Sequence, residues 1–192
     1  MNFKSLDNKL RLFSIYLLLT LIKESTCVAL ALSGLNNLHL YNILGIAAYL
    51  IYFYLYYSVF QEKKIKIVIL SFSVITFLVY LLDIIYINGL YNFNSLTTTV
   101  GGFSVAVIAL LYFYQLIKGI EYSNLTKVPM FWISTGVLFY SVGTIILFNY
   151  FNKYINLPPS LRSSIWTINS VLNILQNVLF TIAILCKQKN RI

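Results

Sequence analysis

The sequence predicts an all-α protein, a polytopic transmembrane bundle of six helices with both chain ends in the cytoplasm (N-in/C-in). Three observations lead to this fold class. The 192 residues are 59% hydrophobic and only 10% charged, whereas a soluble domain carries about 25% charged residues. Six apolar stretches are each long enough to cross a bilayer. Lysine and arginine concentrate in alternate links between those stretches.

Each predicted span holds about 20 mostly apolar residues, the number that a helix rising about 1.5 Å per residue needs to cross the hydrocarbon layer. The links are short, so neighbouring helices form antiparallel hairpins and no link is long enough to separate domains. We therefore expect a single transmembrane domain over residues 1–192. In chain order the spans are Leu10–Leu32, Leu38–Phe60, Ile65–Ile87, Ser95–Ile117, Val128–Phe151 and Leu161–Cys186.

Turn-forming and charged residues separate these spans. Gly34–Asn37 follows the first span, a lysine-rich link at 61–66 follows the second, and Gly89–Asn92 follows the third. Pro129 lies near the start of the fifth span, where its missing N–H costs little. Lys23 and Glu24 interrupt the apolar run of the first span, so we expect it to be retained rather than cleaved as a signal peptide.

Glycines on two spans predict close contacts between helices. Gly101 and Gly102 lie on the fourth span, and Gly136 and Gly143 lie seven residues apart on the fifth. Small residues let the backbones of transmembrane helices approach each other. We expect both pairs to lie at helix interfaces.

The basic residues predict the orientation. Eleven of the fourteen lysines and arginines lie at the chain ends or in the second-to-third and fourth-to-fifth links, against Lys153 and Arg162 on the other side. The positive-inside rule places the richer side in the cytoplasm. The net charge of +9 then follows from topology and from attraction to anionic headgroups of the lipid bilayer, so we expect no direct binding of nucleic acid.

Polar side chains within the spans predict a pocket that opens to the outside. An ionisable residue within a span costs about 2.5–3.5 kcal/mol on insertion scales and therefore usually faces the bundle interior. On the sixth span Asn169, Asn173 and Asn177 share one helix face. The predicted lining residues, all in the outer half, are Glu24, Asn42, Asp83, Trp166, Asn169 and Asn173. Glu24 and Asp83 would supply charge, and the asparagines would orient a polar ligand.

Lys23 leaves a question open. Adjacent residues point about 100° apart on a helix, so we expect Lys23 and Glu24 to have different partners. Lys23 would then pair with Asp83 or extend to the interface.

An alternative interpretation is that these polar side chains only pack the helices together. Interhelical hydrogen bonds in membranes average about 0.6 kcal/mol each, and Asp83 could be solvated at the interface. An ion path is less favoured, because no polar trail continues to the cytoplasmic face.

The sequence contains few residues that could form a catalytic site or bind a metal. Two cysteines, Cys27 and Cys186, and the single histidine His39 are too few for a structural zinc site, and we expect no metal and no cofactor. The predicted topology places the two cysteines toward opposite faces of the bilayer, so we expect no disulfide between them. Gly102–Val105 contains a G-x-S-x serine on the fourth span, as in rhomboid proteases, but the sixth span lacks the histidine base. No catalytic residue is assigned, although Glu24 and Asp83 as general acid and base would make an intramembrane lipid hydrolase.

Motifs along most of the chain resemble those of a known group of proteins. They are Leu10–Phe13, Glu24, Asn36-Asn37, Tyr41–Ile43, Phe93–Ser95, Pro129–Ile133 with Tyr140 and Gly143, Trp166-x-x-Asn169-x-x-x-Asn173, and Cys186. Together they resemble a large uncharacterised family of small multispan membrane proteins of Bacteroidota. Similar bundles form the N-terminus of some sensor histidine kinases.

The resemblance implies a membrane input module, with sensor or regulatory function, in the bacterial inner (cytoplasmic) membrane. Because the 192 residues include no kinase domain, the resemblance also implies a membrane or cytoplasmic signalling or effector partner. An alternative is an accessory protein beside a CRISPR RNA-targeting effector in phage defence. The sequence leaves the oligomeric state open.

Overall fold

A computed structural model describes residues 8–119, 125–151 and 159–186. In these residues six long helices follow one another: α1 Asn8–Leu32, α2 Leu38–Val59, α3 Lys63–Leu82, α4 Ser95–Gly119, α5 Pro129–Phe151 and α6 Pro159–Leu185. A π-helical turn, Asp83–Ile87, extends α3, and a 3₁₀ turn, Leu125–Lys127, precedes α5. The all-α prediction is confirmed, and the helix ends lie within two residues of the predicted spans when the π turn is counted with α3.

All six helices are long and apolar enough to cross a membrane. Each also exposes large apolar side chains, which water would not cover favourably. Examples, one from each helix in turn, are Leu18, Leu50, Val74, Leu110, Ile146 and Ile174. The chain is therefore a multi-pass membrane protein. Several basic residues used to predict its orientation, Lys4, Lys153, Lys187, Lys189 and Arg191, lie outside the described residues.

The chain divides into two compact units between Gly101 and Gly102, within α4. The first unit contains α1, α2, α3 and the start of α4, and the second contains the rest of α4, α5 and α6. The predicted pocket residues are divided between the units. Glu24, Asn42 and Asp83 belong to the first unit, and Trp166, Asn169 and Asn173 belong to the second. The single domain over residues 1–192 stays a prediction.

Aromatic residues of α2 organise the first unit. Phe53 and Tyr56 are buried, and the Tyr52 hydroxyl lies 3.0 Å from that of Tyr16 on α1. Tyr49 packs directly on Gly101, where an added Cβ would lie 2.7 Å from the tyrosine ring. The glycine therefore permits the approach of α2 and α4 that its position predicted.

Glycines of α5 set the packing of the second unit. A Cβ at Gly143 would lie 2.5 Å from Leu172 Cδ1, and one at Gly136 would lie 2.9 Å from Phe180 Cε1. Both contacts are with α6. The predicted close approach at Gly136 and Gly143 is confirmed, and α5 and α6 form a tightly packed pair.

Candidate functional site

An ion pair lies within the first span. Lys23 Nζ is 2.7 Å from Glu24 Oε1, and the two side chains are 16% and 28% exposed. The expectation that these neighbours need different partners is wrong. The lysine side chain is long and flexible. It bends along the helix surface, so that its ammonium reaches the carboxylate of the adjacent residue although the two Cβ atoms point in different directions. Lys23 therefore pairs with Glu24.

Tyr41 of α2 contacts both charges. Its hydroxyl donates a hydrogen bond to Glu24 Oε2 at 2.9 Å, and its ring lies 4.8 Å from Lys23 Nζ. The arrangement satisfies each ion, because the carboxylate accepts from a cation and a hydroxyl while the ammonium lies over a π face. We call Lys23, Glu24 and Tyr41 the charged cluster. Its net charge is zero when both ions are formed, and its side chains are only partly enclosed.

Asp83 is fully buried and forms a helix cap. Its Oδ2 accepts hydrogen bonds from the backbone N–H and the hydroxyl of Thr97, each at 2.8 Å. Its Oδ1 accepts one from Asn88 Nδ2 at 2.6 Å. Thr97 lies in the first turn of α4, where backbone N–H groups have no partner within the helix and anions are favoured. The alternative in which Asp83 is solvated at the interface is wrong, because the protein itself supplies its hydrogen bonds.

The π turn that begins at Asp83 ends in a glycine turn. The Asn88 N–H bonds to the Asp83 carbonyl at 2.8 Å, and Gly89 follows with a φ of 75°. Gly34 ends α1 in the same left-handed conformation, with a φ of 72°. Only glycine adopts such angles without strain, which explains why both turns begin with Gly-Leu.

Asparagine side chains join these two turns. Asn42 Nδ2 donates to the carbonyls of Leu90 and Asn92, both at 2.7 Å. Asn36 Nδ2 donates to the Tyr91 carbonyl at 2.9 Å. The α1–α2 turn and the α3–α4 turn therefore lie side by side at one end of the first unit. Sequence reasoning selected Asn42 but assigned no role to Asn88, whose only signal was an asparagine at the end of a span.

The start of α2 links the charged cluster to the turns. Tyr41 bonds to Glu24, and its neighbour Asn42 bonds to the turn that follows Asp83. The three predicted pocket residues of the first unit are thus connected through two adjacent positions of α2. Of these three, Glu24 is partly exposed, whereas Asn42 and Asp83 are buried.

The amide side chains of α6 are buried or half-buried, whereas hydroxyl side chains such as Thr167, Ser170 and Thr181 are exposed. Asn169 is buried, and Asn173 is half-buried and accepts hydrogen bonds at its carbonyl and side-chain oxygens from Asn177 Nδ2. The Trp166 ring packs on Phe148 of α5, with ring centroids 5.6 Å apart. Gln176 of the same helix is buried as well.

The cysteines and the other potential metal ligands are spread over several helices within the described part of the chain. No cluster of three or more His, Cys, Asp and Glu side chains is found there, and Cys27 and Cys186 are free thiols. The Cys186 thiol lies 3.3 Å from the Thr126 carbonyl, which also accepts a hydrogen bond from Trp132 Nε1. This contact ties the end of α6 to the 3₁₀ turn before α5.

Comparison with known proteins adds no relative. No protein-family model, no curated protein and no solved structure matches this chain.

Proposed function

We propose that the protein is a sensor or regulatory module of the bacterial inner membrane, N-in and C-in, that binds a polar ligand at the charged cluster. One observation carries this proposal: Lys23 and Glu24 form a 2.7 Å ion pair within a span while both side chains keep some exposure. Charged residues within spans are costly and usually mark functional sites. An ion pair that only packed the helices together would be expected to be fully buried, as the Asp83 side chain is.

The charges of the cluster favour a zwitterionic ligand. A ligand ammonium would bind Glu24 and a ligand carboxylate or phosphate would bind Lys23, so that each protein charge exchanges one partner for another. A ligand with a single charge would leave one ion of the pair without its partner, which is expensive away from water. The Tyr41 hydroxyl would position the Glu24 carboxylate during this exchange.

Two other polar residues of the first unit hold the backbone around the charged cluster in place. Asn42 and Asp83 hold the turns beside the start of α2, and Tyr41 projects from the same turn of that helix. A ligand that moved Tyr41 would therefore act directly on the α1–α2 and α3–α4 turns. The resemblance to membrane input modules of sensor kinases suggests how this change would be used, through a separate signalling or effector partner.

The geometry gives less support to a hydrolase with paired carboxylates. Both oxygens of Asp83 already accept hydrogen bonds from Asn88 and Thr97, and the side chain is 0% exposed. A general acid or base must reach the proton that it transfers. Asp83 in this state would have to abandon the cap of α4 to do so.

The proposal is tested by thermal unfolding of the purified protein in lipid nanodiscs, with amino acids and betaines as zwitterionic probes and with simple amines, carboxylates and sugars for comparison. We expect at least one zwitterion to raise the unfolding temperature of the wild type. The increase should disappear in Lys23→Met and Glu24→Gln and shrink in Tyr41→Phe. Tyr86→Phe, at an exposed tyrosine of the π turn, is the matched control and should respond like the wild type.

Two results would contradict ligand binding at the cluster. One is the lack of any increase with the zwitterions, and the other is an increase that persists in Glu24→Gln. The partner is tested separately by the neighbouring genes. A kinase or response regulator beside the gene supports sensing, whereas a nuclease favours the accessory role in phage defence.

A further inference from the structure

The packed face of α6 carries two amides whose polar atoms the protein leaves unmatched. Asn169 is 9% exposed and Gln176 is 7% exposed. Asn169 Oδ1, an acceptor, and Gln176 Nε2, a donor, are buried and have no hydrogen-bond partner among the described residues. Buried polar atoms of native proteins are nearly always hydrogen-bonded. We therefore expect these two atoms to form hydrogen bonds with a bound molecule.

Elsewhere on α6 polar side chains are satisfied within the helix. Asn177 Nδ2 donates to the Asn173 carbonyl at 2.9 Å. The hydroxyls of Thr167 and Ser170 each donate to the carbonyl four residues earlier, both at 2.9 Å. Asn169 and Gln176 differ from these neighbours. Seven residues, or about 10 Å along the helix axis, separate them on the same face.

The packing around the two amides limits the size of an occupant. Leu172 lies between the two amides in the sequence of α6, and it packs against Gly143 of α5. A Cβ added at Gly143 would lie 2.5 Å from the Leu172 side chain. A Cβ at Gly136 would lie 3.4 Å from the Gln176 carbonyl oxygen. Since α5 and α6 approach so closely, any occupant between these levels has few heavy atoms.

The charge of the surroundings limits its chemistry. Residues 129–151 of α5 and 163–186 of α6 contain no Asp, Glu, Lys or Arg. Arg162, about two turns before Asn169, is the charged residue of α6. A charged ligand between Asn169 and Gln176 would lack a counter-ion from these stretches of α5 and α6, and burying an unpaired ion is costly. The site accordingly suits a neutral molecule that can both donate and accept hydrogen bonds.

We propose that Asn169 and Gln176 form a binding site for small neutral hydrogen-bonding molecules of about the size of water. One such molecule donates a hydrogen bond to Asn169 Oδ1, and a second molecule accepts a hydrogen bond from Gln176 Nε2. Water and a small organic alcohol or amide share this chemistry. The site does not depend on the charged cluster, so either proposal can fail without the other.

Radiolytic hydroxyl labelling in lipid nanodiscs tests the site, because bound water generates radicals beside buried side chains. We expect labelling of Phe180, which is buried and lies one turn beyond Gln176, and of Leu172, which lies close to Asn169 on α6. Gln176→Leu should reduce the labelling of Phe180 several-fold, and Asn169→Leu should do the same for Leu172. Asn177→Leu removes an amide that is already bonded within the helix and should leave both unchanged.

Native mass spectrometry distinguishes the two sources. An organic occupant adds its mass to the wild-type protein and is lost in the Asn169→Leu and Gln176→Leu variants, whereas water gives labelling without added mass. The proposal is overturned if the wild type shows neither labelling nor added mass, or if the labelling persists in both leucine variants. Should Gln176→Leu fail to fold, Gln176→Met keeps the length of the side chain, and the wild-type measurement is decisive in any case.

Discussion

Asp83 Oδ2 accepts two hydrogen bonds from Thr97, one from its backbone N–H and one from its hydroxyl, each 2.8 Å long. An acid at the end of one helix thus caps the start of the next. The Asp83 carbonyl also accepts the Asn88 N–H at 2.8 Å, so one residue fixes both ends of the α3–α4 turn. The partial positive charge of the α4 N-terminus adds a favourable term for the ionised carboxylate.

Removing this cap should destabilise the protein. Asp83→Asn turns one acceptor oxygen into a donor and should lower the free energy of unfolding by about 2–3 kcal/mol, as expected for lost hydrogen bonds to a charged group. Thr97→Val removes only the hydroxyl and should cost about 1–2 kcal/mol, whereas Thr97→Ser keeps it and should cost less. Denaturant unfolding in detergent measures these differences. Additive effects of Asp83→Asn and Thr97→Val in the double variant would contradict a direct interaction.

The α5–α6 interface should not tolerate a methyl group at Gly143. The new Cβ would lie 2.5 Å from Leu172 Cδ1, so Gly143→Ala should cost about 1–3 kcal/mol through overpacking. Leu172→Ala in the same chain should restore part of the loss by making room. Gly45→Ala is the control, since no atom lies within 4 Å of a Cβ there, and it should be neutral or slightly stabilising. Equal losses at Gly143 and Gly45 would rule out the packing argument.

Cys186 should react slowly with alkylating reagents at mildly alkaline pH. It lies just beyond the end of α6, and burial raises the pKa of its thiol, while the nearby indole N–H of Trp132 offsets part of the increase. A raised pKa keeps the thiol protonated at pH values where an ordinary cysteine has begun to ionise, and only the thiolate is the nucleophile. The midpoint of the pH–rate profile with iodoacetamide should therefore lie above that of the unfolded chain.

Mass spectrometry of the Cys27→Ala variant follows Cys186 alone. In the wild type, the fully buried Cys27 should be alkylated only after unfolding. A Cys186 midpoint at or below that of the unfolded protein would show that burial does not control this thiol.

The predicted orientation can be tested with the same cysteine. If the C-terminus is cytoplasmic, a maleimide that cannot cross membranes should label Cys186 in permeabilised cells and not in intact ones. Leu35→Cys in the exposed α1–α2 turn should react in intact cells. The opposite pattern at both positions would place the chain ends outside and would also reverse the side to which the charged cluster lies closer.

Some contacts between side chains could be predicted from the sequence, and others could not. The close contacts at Gly136 and Gly143 follow from residue type, because only small residues let two helix backbones meet. The partner of Lys23 did not follow in this way. Its position suggested a distant carboxylate, and only the side-chain conformation shows that it reaches its neighbour Glu24.

By itself the sequence determined the six helices and the multi-pass membrane fold. Insertion depends on hydrophobicity summed over about 20 consecutive residues, and that sum is a local property. Tertiary structure decided which polar groups meet, because hydrogen bonds depend on the rotation and depth of each helix. Asn42 bonds to the Leu90 carbonyl across 48 residues, and Asp83 caps a helix other than its own. The same dependence leaves Asn169 Oδ1 and Gln176 Nε2 unmatched on one helix face.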